Sequence, residues 1–401
     1  MDLRSGYPFW LIRNGLPSTF PALRKNERCD VVVVGAGITG ALVSYQLAQA
    51  GLSVVVVDER HVAWGSTAAS TALLQYEIDV PLHELEEMRG RENAVGAYLA
   101  CWEAISKIEK LSRALEDDCD FKRCPSLYLA TQSSDMIALK REFLARRRAG
   151  LELDLWSAAQ LKAKTGVIRP GALFSKDAAQ IDPYRFVYHL LKAAQGMGVR
   201  IYDRTVVKSY EADGRGVRVK TDGDMTLRAR HIVFATGYES QQFLPQKLVE
   251  LHSTYALVSE PIAGRSPLWH RESLIWEHAD PYLYLRTTSE RRIIIGGEDD
   301  AFENPLRRDA LIPHKTKILL RKFKKLFPHI ACEVAFAWAG TFGTTKDGLA
   351  YIGAHPDFPR AFFTLGFGGN GMTYSVLAGE IVRDSILKRK NKHAHLFSLD
   401  R

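Results

Sequence analysis

Gly35, Gly37 and Gly40 follow directly on the four-valine run Val31 to Val34, and an acidic residue, Asp58, stands 23 positions after the first of them. Residues of these types at this spacing handle a pyrophosphate and a ribose. Gly35 permits a tight turn, Gly37 removes the side chain that would block a pyrophosphate, and Gly40 lets the next helix lie close on the strand. That helix begins near Ile38, so its free N–H groups and positive dipole end face the phosphates. Asp58 can accept from both hydroxyls of an adenosine ribose and would repel a 2′-phosphate. To this point FAD and NAD are equally good readings. The segment Gly65-Ser66-Thr67-Ala68-Ala69-Ser70-Thr71 favours FAD, because a small, hydroxyl-rich stretch can run close along a long cofactor and donate to its phosphates.

The elements that must position these residues are legible from pattern. Val31 to Val34 is short and apolar on both faces, which predicts a buried parallel strand, and Val54 to Val57 predicts a second. The helix between them turns Ala41, Leu42, Tyr45, Leu47 and Ala48 inward and stops at Gly51. His231 to Ala235 reads as another buried strand, running into the small turn Ala235-Thr236-Gly237 at the sheet edge where open α/β folds bind ligands. Phe362 to Leu365 leads into a second glycine-rich loop, Gly366 to Gly371, and a helix over Met372 to Leu387. The N-terminus of that helix can stabilise negative charge on a reduced ring system.

Further helices are predicted over His83 to Glu116, Ser134 to Gly150 and Arg185 to Gln195, and strands at Leu127 to Thr131 and Val199 to Tyr202. A hairpin starts at Thr205-Val206-Val207 and turns through Asp213-Gly214. Tyr255 to Glu260, Leu274 to Glu277, Tyr282 to Arg286 and Arg292 to Gly296 read as antiparallel strands of one sheet, with a basic amphipathic helix around Ile318 to Phe327 after them. Residues 1 to 28, with Phe9-Trp10, Pro17 and Pro21, read as an ordered but irregular lead-in. The expected architecture is an α/β FAD-binding Rossmann-like domain (1–80, 170–248 and 338–401) with a second α+β substrate domain (81–169 and 249–337) built on an antiparallel sheet.

The chain has 401 residues, 46% of them hydrophobic and 25% charged, the composition of a soluble globular enzyme with room for two cores. Its apolar runs fall short of the ~20 residues of a membrane span, and Met1 to Pro8 lacks the apolar core of a signal peptide. A cytoplasmic location is expected. The five cysteines show no metal-type pairing and are expected as reduced thiols, with no metal site. Much of the net charge of +8 is concentrated in Arg146 to Arg148, Arg321 to Lys325 and Lys388 to Lys392, read as solvated faces; no nucleic-acid motif accompanies them, so no such partner is expected.

Val31 to Gly40, the GSTAAS segment, Ala235 to Gly237, Trp338-x-Gly340 with Asp347 and Ile352-Gly353, and Gly368 to Gly371 together resemble the FAD-dependent oxidoreductases of the D-amino-acid oxidase and glycine oxidase superfamily, over nearly the whole chain. The lead-in around Phe9-Trp10 followed by Asp30 to Val33 is most similar to the gamma-glutamylputrescine oxidase type. The resemblance implies FAD with its adenosine near Asp58, Glu59 and Val207 and its pyrophosphate at Gly37, Ile38, Thr39 and Gly40. Gly65, Ser66, Thr67 and Ala235-Thr236-Gly237 would also line the cofactor. The isoalloxazine would lie between Ser70, Thr71, Leu73 and Gly340, with Gly368, Gly369, Asn370, Gly371, Met372 and Thr373 at its pyrimidine edge. The implied reaction moves a hydride from carbon to flavin N5 and leaves an imine that hydrolyses, with oxygen or a quinone as the final acceptor. Flavin carries that chemistry, so no side chain is assigned as catalytic.

Two departures from the superfamily shape the expectation. Its sarcosine oxidases attach flavin to a cysteine where this chain has Gly340, and Cys332 comes eight positions too early, so the FAD is expected to be noncovalent. Its amino-acid oxidases tend to pair the substrate carboxylate with an arginine, where this chain has Phe342. The expected substrate is therefore a primary or secondary amine, under a roof of Tyr255, Tyr282 and Tyr284. A D-amino-acid or glycine oxidase or dehydrogenase is the alternative, with Arg286 either supplying a replacement charge or standing exposed on its strand. A flavin-stabilised RNA-modifying or binding protein, suggested by the +8 charge, is a third reading.

Overall fold

Val31–Val34 and Val54–Val57 form strands in which every residue is buried. They pair in parallel, Val31 opposite Val54 through Val34 opposite Val57. Each valine so buried contributes roughly 1.5 kcal/mol or more, so these eight side chains anchor one end of the molecule. His231–Phe234 pairs with Val31–Val34, Phe358–Leu365 lies beyond it, and Arg200–Tyr202 closes the far side, all parallel. Tyr351–His355 completes this six-stranded sheet as an antiparallel edge. The computed structural model describes all residues from Met1 to Arg401.

The helix Ile38–Gln49 is buried almost throughout, because the helices Pro183–Gly196 and Gly371–Ile386 both pack on it. Gly379 permits the second contact: a Cβ there would stand 3.2 Å from the Leu42 carbonyl oxygen. The Thr39 and Ser375 hydroxyls hydrogen-bond at 2.8 Å across the same interface. Both glycine-rich loops therefore deliver helix N-termini to one place.

A nine-stranded sheet forms the other half. Its order is Val334–Thr344, Glu250–Ser259, Ile293–Asp300, Leu283–Thr287, Leu274–His278, Lys122–Ala130, Gly171–Gln180 and Leu73–Leu74, with Leu153–Ser157 also paired to Gly171–Gln180. The four segments expected as antiparallel strands do pair so, but the sheet they belong to is mixed, because Leu274–His278 also runs parallel to Lys122–Ala130, a pairing of distant segments that no hairpin imposes. The sheet also takes in Gly171–Gln180 and all of Val334–Thr344, so the expected breaks at 170 and 338 do not coincide with its limits.

The helix behind this sheet, Pro305–Leu326, starts well before the expected Ile318. Asn304 caps it by accepting the Arg307 N–H at 2.9 Å, and Pro305 occupies its first turn. The lead-in forms a short helix, Phe9–Asn14. Ahead of it, Leu3 to Ser5 runs along Ala339 to Thr341 as a further edge. No helix is long and apolar enough to cross a membrane.

Candidate active site

One cavity of about 1070 Å³ lies between the two sheets, and both glycine-rich loops line it. Gly35 has a φ of +102°, and a Cβ on it would fall 2.4 Å from the Ala235 carbonyl oxygen. At Gly40 a Cβ would strike the Gly35 carbonyl oxygen at 1.8 Å. Gly40 thus serves helix–strand packing and does not reach the cavity. Gly37 does reach it. It caps the helix without a side chain, and a Cβ there would stand 3.1 Å from Thr67 Oγ1, the atom that accepts the Ile38 N–H at 3.0 Å.

Asp58 closes the loop from below, accepting the Ala36 N–H at 2.6 Å and the Arg60 N–H at 2.8 Å. Burial raises its carboxyl to about 6, against the pull of those N–H groups and of the Arg60 guanidinium. The ionised form is the stronger acceptor from ribose hydroxyls and can accept from two at once. FAD affinity is therefore expected to weaken several-fold as the pH falls from about 7.5 to about 5, read by fluorescence titration of deflavinated protein. An affinity flat across that range would remove Asp58 from the ribose site. Glu59, Val207, Ala235, Thr236 and Gly237 line the same cavity.

The stretch Ser66–Ala69 is a short helix, and the four carbonyls from Ala69 to Ala72 are all taken from behind. Trp338 Nε1 donates to Ala69 at 2.9 Å and Trp10 Nε1 to Ser70 at 2.7 Å. Arg286 Nη1 donates to Thr71 at 3.1 Å, Ala72 at 2.7 Å and Ile181 at 3.0 Å, while its Nε reaches Thr287 at 3.1 Å. This clamp holds Ala72 at a φ of +53°, a conformation that costs of order 1–3 kcal/mol for a residue with a side chain. Gly65, Ser66, Thr67, Ser70, Thr71 and Leu73 are thereby held along the cavity wall.

Arg286 therefore corrects both expectations made for it. The side chain is 2% exposed and does not line the cavity, and its Nε and Nη1 donate to main-chain carbonyls. Burial lowers its guanidinium to about 10.

Tyr255 is also corrected. Adjacent strand residues face opposite sides of a sheet, and it is Thr254 that lines the cavity. Tyr255 points into the core under the Pro305–Leu326 helix, its hydroxyl 3.0 Å from Asp300 and Lys315 Nζ 5.1 Å from its ring centroid. Tyr282, Tyr284, Gly340 and Phe342 do line the cavity. Tyr284 lies flat over Gly296, where any Cβ would stand 2.3 Å from its hydroxyl.

At the second loop, Gly368, Gly369, Asn370, Gly371 and Met372 face the cavity. Thr373 does not; its hydroxyl turns back to the Asn370 carbonyl at 3.1 Å. The Gly371–Ile386 helix has no side-chain cap, so its first-turn N–H groups stay available. Asp79 accepts the Gly369 N–H at 3.0 Å, and burial raises its carboxyl above the usual range.

Sequence reasoning missed Asp79 and, on the far wall, Tyr128, Trp276 and His278, all of which line the cavity. It also missed Asp299, beside the Thr254 and Tyr282 hydroxyls, whose carboxyl burial raises to about 6. Arg146, read as part of a solvated basic run, is 1% exposed. It pairs with Glu142 at 2.6 Å and Glu77 at 3.2 Å between the rings of Tyr76 and Tyr98, and so braces the 75–79 stretch of the wall. Burial would raise the Glu142 carboxyl, but Arg146, His83 and the Leu82 N–H outweigh it and hold it at about 2.

A family profile described as FAD dependent oxidoreductase, DAO, matches residues 30–385. The chain belongs to this family. Members are FAD-dependent enzymes acting on amines or amino acids, and the cavity fits that cofactor: two helix starts whose N-cap residues offer no side-chain bond, the glycines of both loops and the acidic Asp58 converge on one space. The glycine oxidase of Bacillus licheniformis is 27% identical over 373 residues, 90% of this chain and 94% of that one. The gamma-glutamylputrescine oxidoreductase of Escherichia coli K12 is 23% identical over 380 residues, 91% of this chain and 85% of that one. The crystal structure of glycine oxidase from Geobacillus kaustophilus superposes with a TM-score of 0.77 at 22% identity, covering 94% of this chain and 99% of that one.

Proposed function

We propose that this chain oxidises the C–N bond of an amine, with FAD held noncovalently, and that α-amino acids are poor substrates. The observation that carries the reading is the charge of the cavity wall. Arg60 is the one lysine or arginine that lines it, and both of its terminal nitrogens are engaged by Glu239, at 3.0 and 2.7 Å. Where the cavity meets the nine-stranded sheet it presents Phe342, Tyr282, Tyr284 and Thr254. A substrate carboxylate buried there without a cation loses several kcal/mol. Gly340 places no thiol at the wall, and Cys332, 5% exposed, lies outside the cavity.

The bound flavin supplies the hydride acceptor that turns the amine into an imine, which then hydrolyses. The chain's own residues orient and select. Asn370 fixes the second loop by donating to the Gln75 and Glu77 carbonyls at 3.2 and 2.8 Å. Tyr282 and Tyr284, with centroids 5.8 Å apart, offer ring faces to an ammonium or an apolar chain.

Of the two relatives reported above, one is a glycine oxidase and the other a gamma-glutamylputrescine oxidoreductase, and the amine reading sides with the second. Phe342→Arg is expected to lower kcat/KM for cationic amines by about tenfold or more through like-charge repulsion, and to improve the ratio of carboxylate-bearing to plain amine substrates. Steady-state kinetics on matched pairs would show it. An unchanged ratio would mean that Phe342 does not face the substrate.

A further inference from the structure

Beyond Tyr282 and Tyr284 the cavity continues to a second aromatic station, where Tyr128 and Trp276 stack with centroids 3.6 Å apart and 12° between their planes. Carboxylates from separate segments flank each station. At Tyr282, burial and then the fields of Asp299 and Asp79 push the hydroxyl well above its usual range. At Tyr128, burial raises the hydroxyl, Arg146 opposes, and Glu142, Glu84 and Asp135 add to the rise. The Tyr128 hydroxyl is also 2.6 Å from His278 Nδ1.

Glu142 is neutralised by Arg146, but the other four are in no ion pair with a lysine or arginine. Asp79 has only the Gly369 N–H. Asp299 Oδ1 is sealed from solvent with no partner, as is the Oε2 of Glu77, a cavity-lining residue 5% exposed whose Oε1 meets Arg146 at 3.2 Å. Glu84 and Asp135 line the cavity with no lysine or arginine against them there, in a chain whose net charge is +8.

Resting on the amine reading, we propose that the substrate is a dication, an α,ω-diamine or polyamine, with its reacting nitrogen at Tyr282 beside Asp79, where Asp299 backs the tyrosine from outside the cavity, and its second ammonium on the Tyr128–Trp276 stack beside Glu84 and Asp135. Two cation sites on one wall select chain ends by charge: a distal ammonium is held by a ring face and two carboxylates, a distal methyl gains only the ring, and a distal carboxylate is repelled.

The test uses the holoenzyme and three compounds of equal length: 1,4-diaminobutane, butylamine and 4-aminobutanoate. The diamine is expected to exceed butylamine in kcat/KM by about tenfold or more, to lose that advantage as salt rises, and to raise the thermal midpoint more than butylamine does. 4-Aminobutanoate should rank last. Glu84→Gln, at an exposed side chain, should cut the diamine-to-butylamine ratio about fivefold. Butylamine matching the diamine in wild-type protein, or a ratio indifferent to Glu84→Gln, would overturn the dication while leaving amine oxidation standing. Failure of all three, and of amines in general, to reduce the flavin would overturn both.

Discussion

Gly37→Val protein is expected to fold and to emerge from purification without flavin. The position separates cofactor binding from folding. Its backbone is extended (φ −78°, ψ −169°), a region open to any residue, and the near neighbour of an added Cβ is the Thr67 hydroxyl at 3.1 Å. The branched side chain would stand on the cavity wall where a pyrophosphate must approach the helix N-terminus. Gly40→Ala should instead fail to fold, because its Cβ would collide with main chain at 1.8 Å. The check is the ratio of visible to protein absorbance, with circular dichroism to confirm folding. A Gly37→Val protein that retains stoichiometric FAD would move the pyrophosphate away from this loop.

Arg286→Met should cost about 3 kcal/mol or more, since four carbonyls, three of them in buried contacts, lose a charged donor. It should also weaken FAD binding, because Thr71 and Ala72 are left to relax away from the cavity while Ala69 and Ser70 stay fixed by the two tryptophans. Denaturant titration and flavin release during heating would report the two effects. If stability is unchanged and activity falls only toward carboxylate-bearing substrates, the guanidinium faces the substrate and the clamp is wrong.

Much of the cofactor half was legible because its chemistry is local. Gly35 to Gly40 and Asp58 lie within one strand–helix–strand unit, and each glycine answers a steric demand that neighbouring chain imposes. The substrate wall was less legible for two physical reasons. Strand alternation fixes which residues share a face but not which face is the cavity, so Tyr255 was read for the wrong side while Thr254 went unread. Arg286 shares its face with Tyr282 and Tyr284, yet its length carries the guanidinium to carbonyls of residues 71, 72 and 181, a contact no spacing announces. Asp79, Tyr128 and Trp276 meet only through the nine-stranded sheet, in which Leu274–His278 pairs with a strand about 150 residues earlier in the chain. The Asn304-Pro305 start of the long helix, by contrast, was a readable capping signal.

A flavin in a pocket with no cation for a carboxylate should oxidise amines in preference to amino acids. The most direct test mixes the holoenzyme anaerobically with a panel of primary and secondary amines, glycine, D-alanine and L-proline, and follows the loss of flavin absorbance near ~450 nm, the band of the oxidised cofactor. Amines are expected to bleach the flavin, and the amino acids to do so at least about a hundredfold more slowly, the cost of an unpaired carboxylate. Bleaching by glycine or D-alanine as fast as by any amine would contradict it.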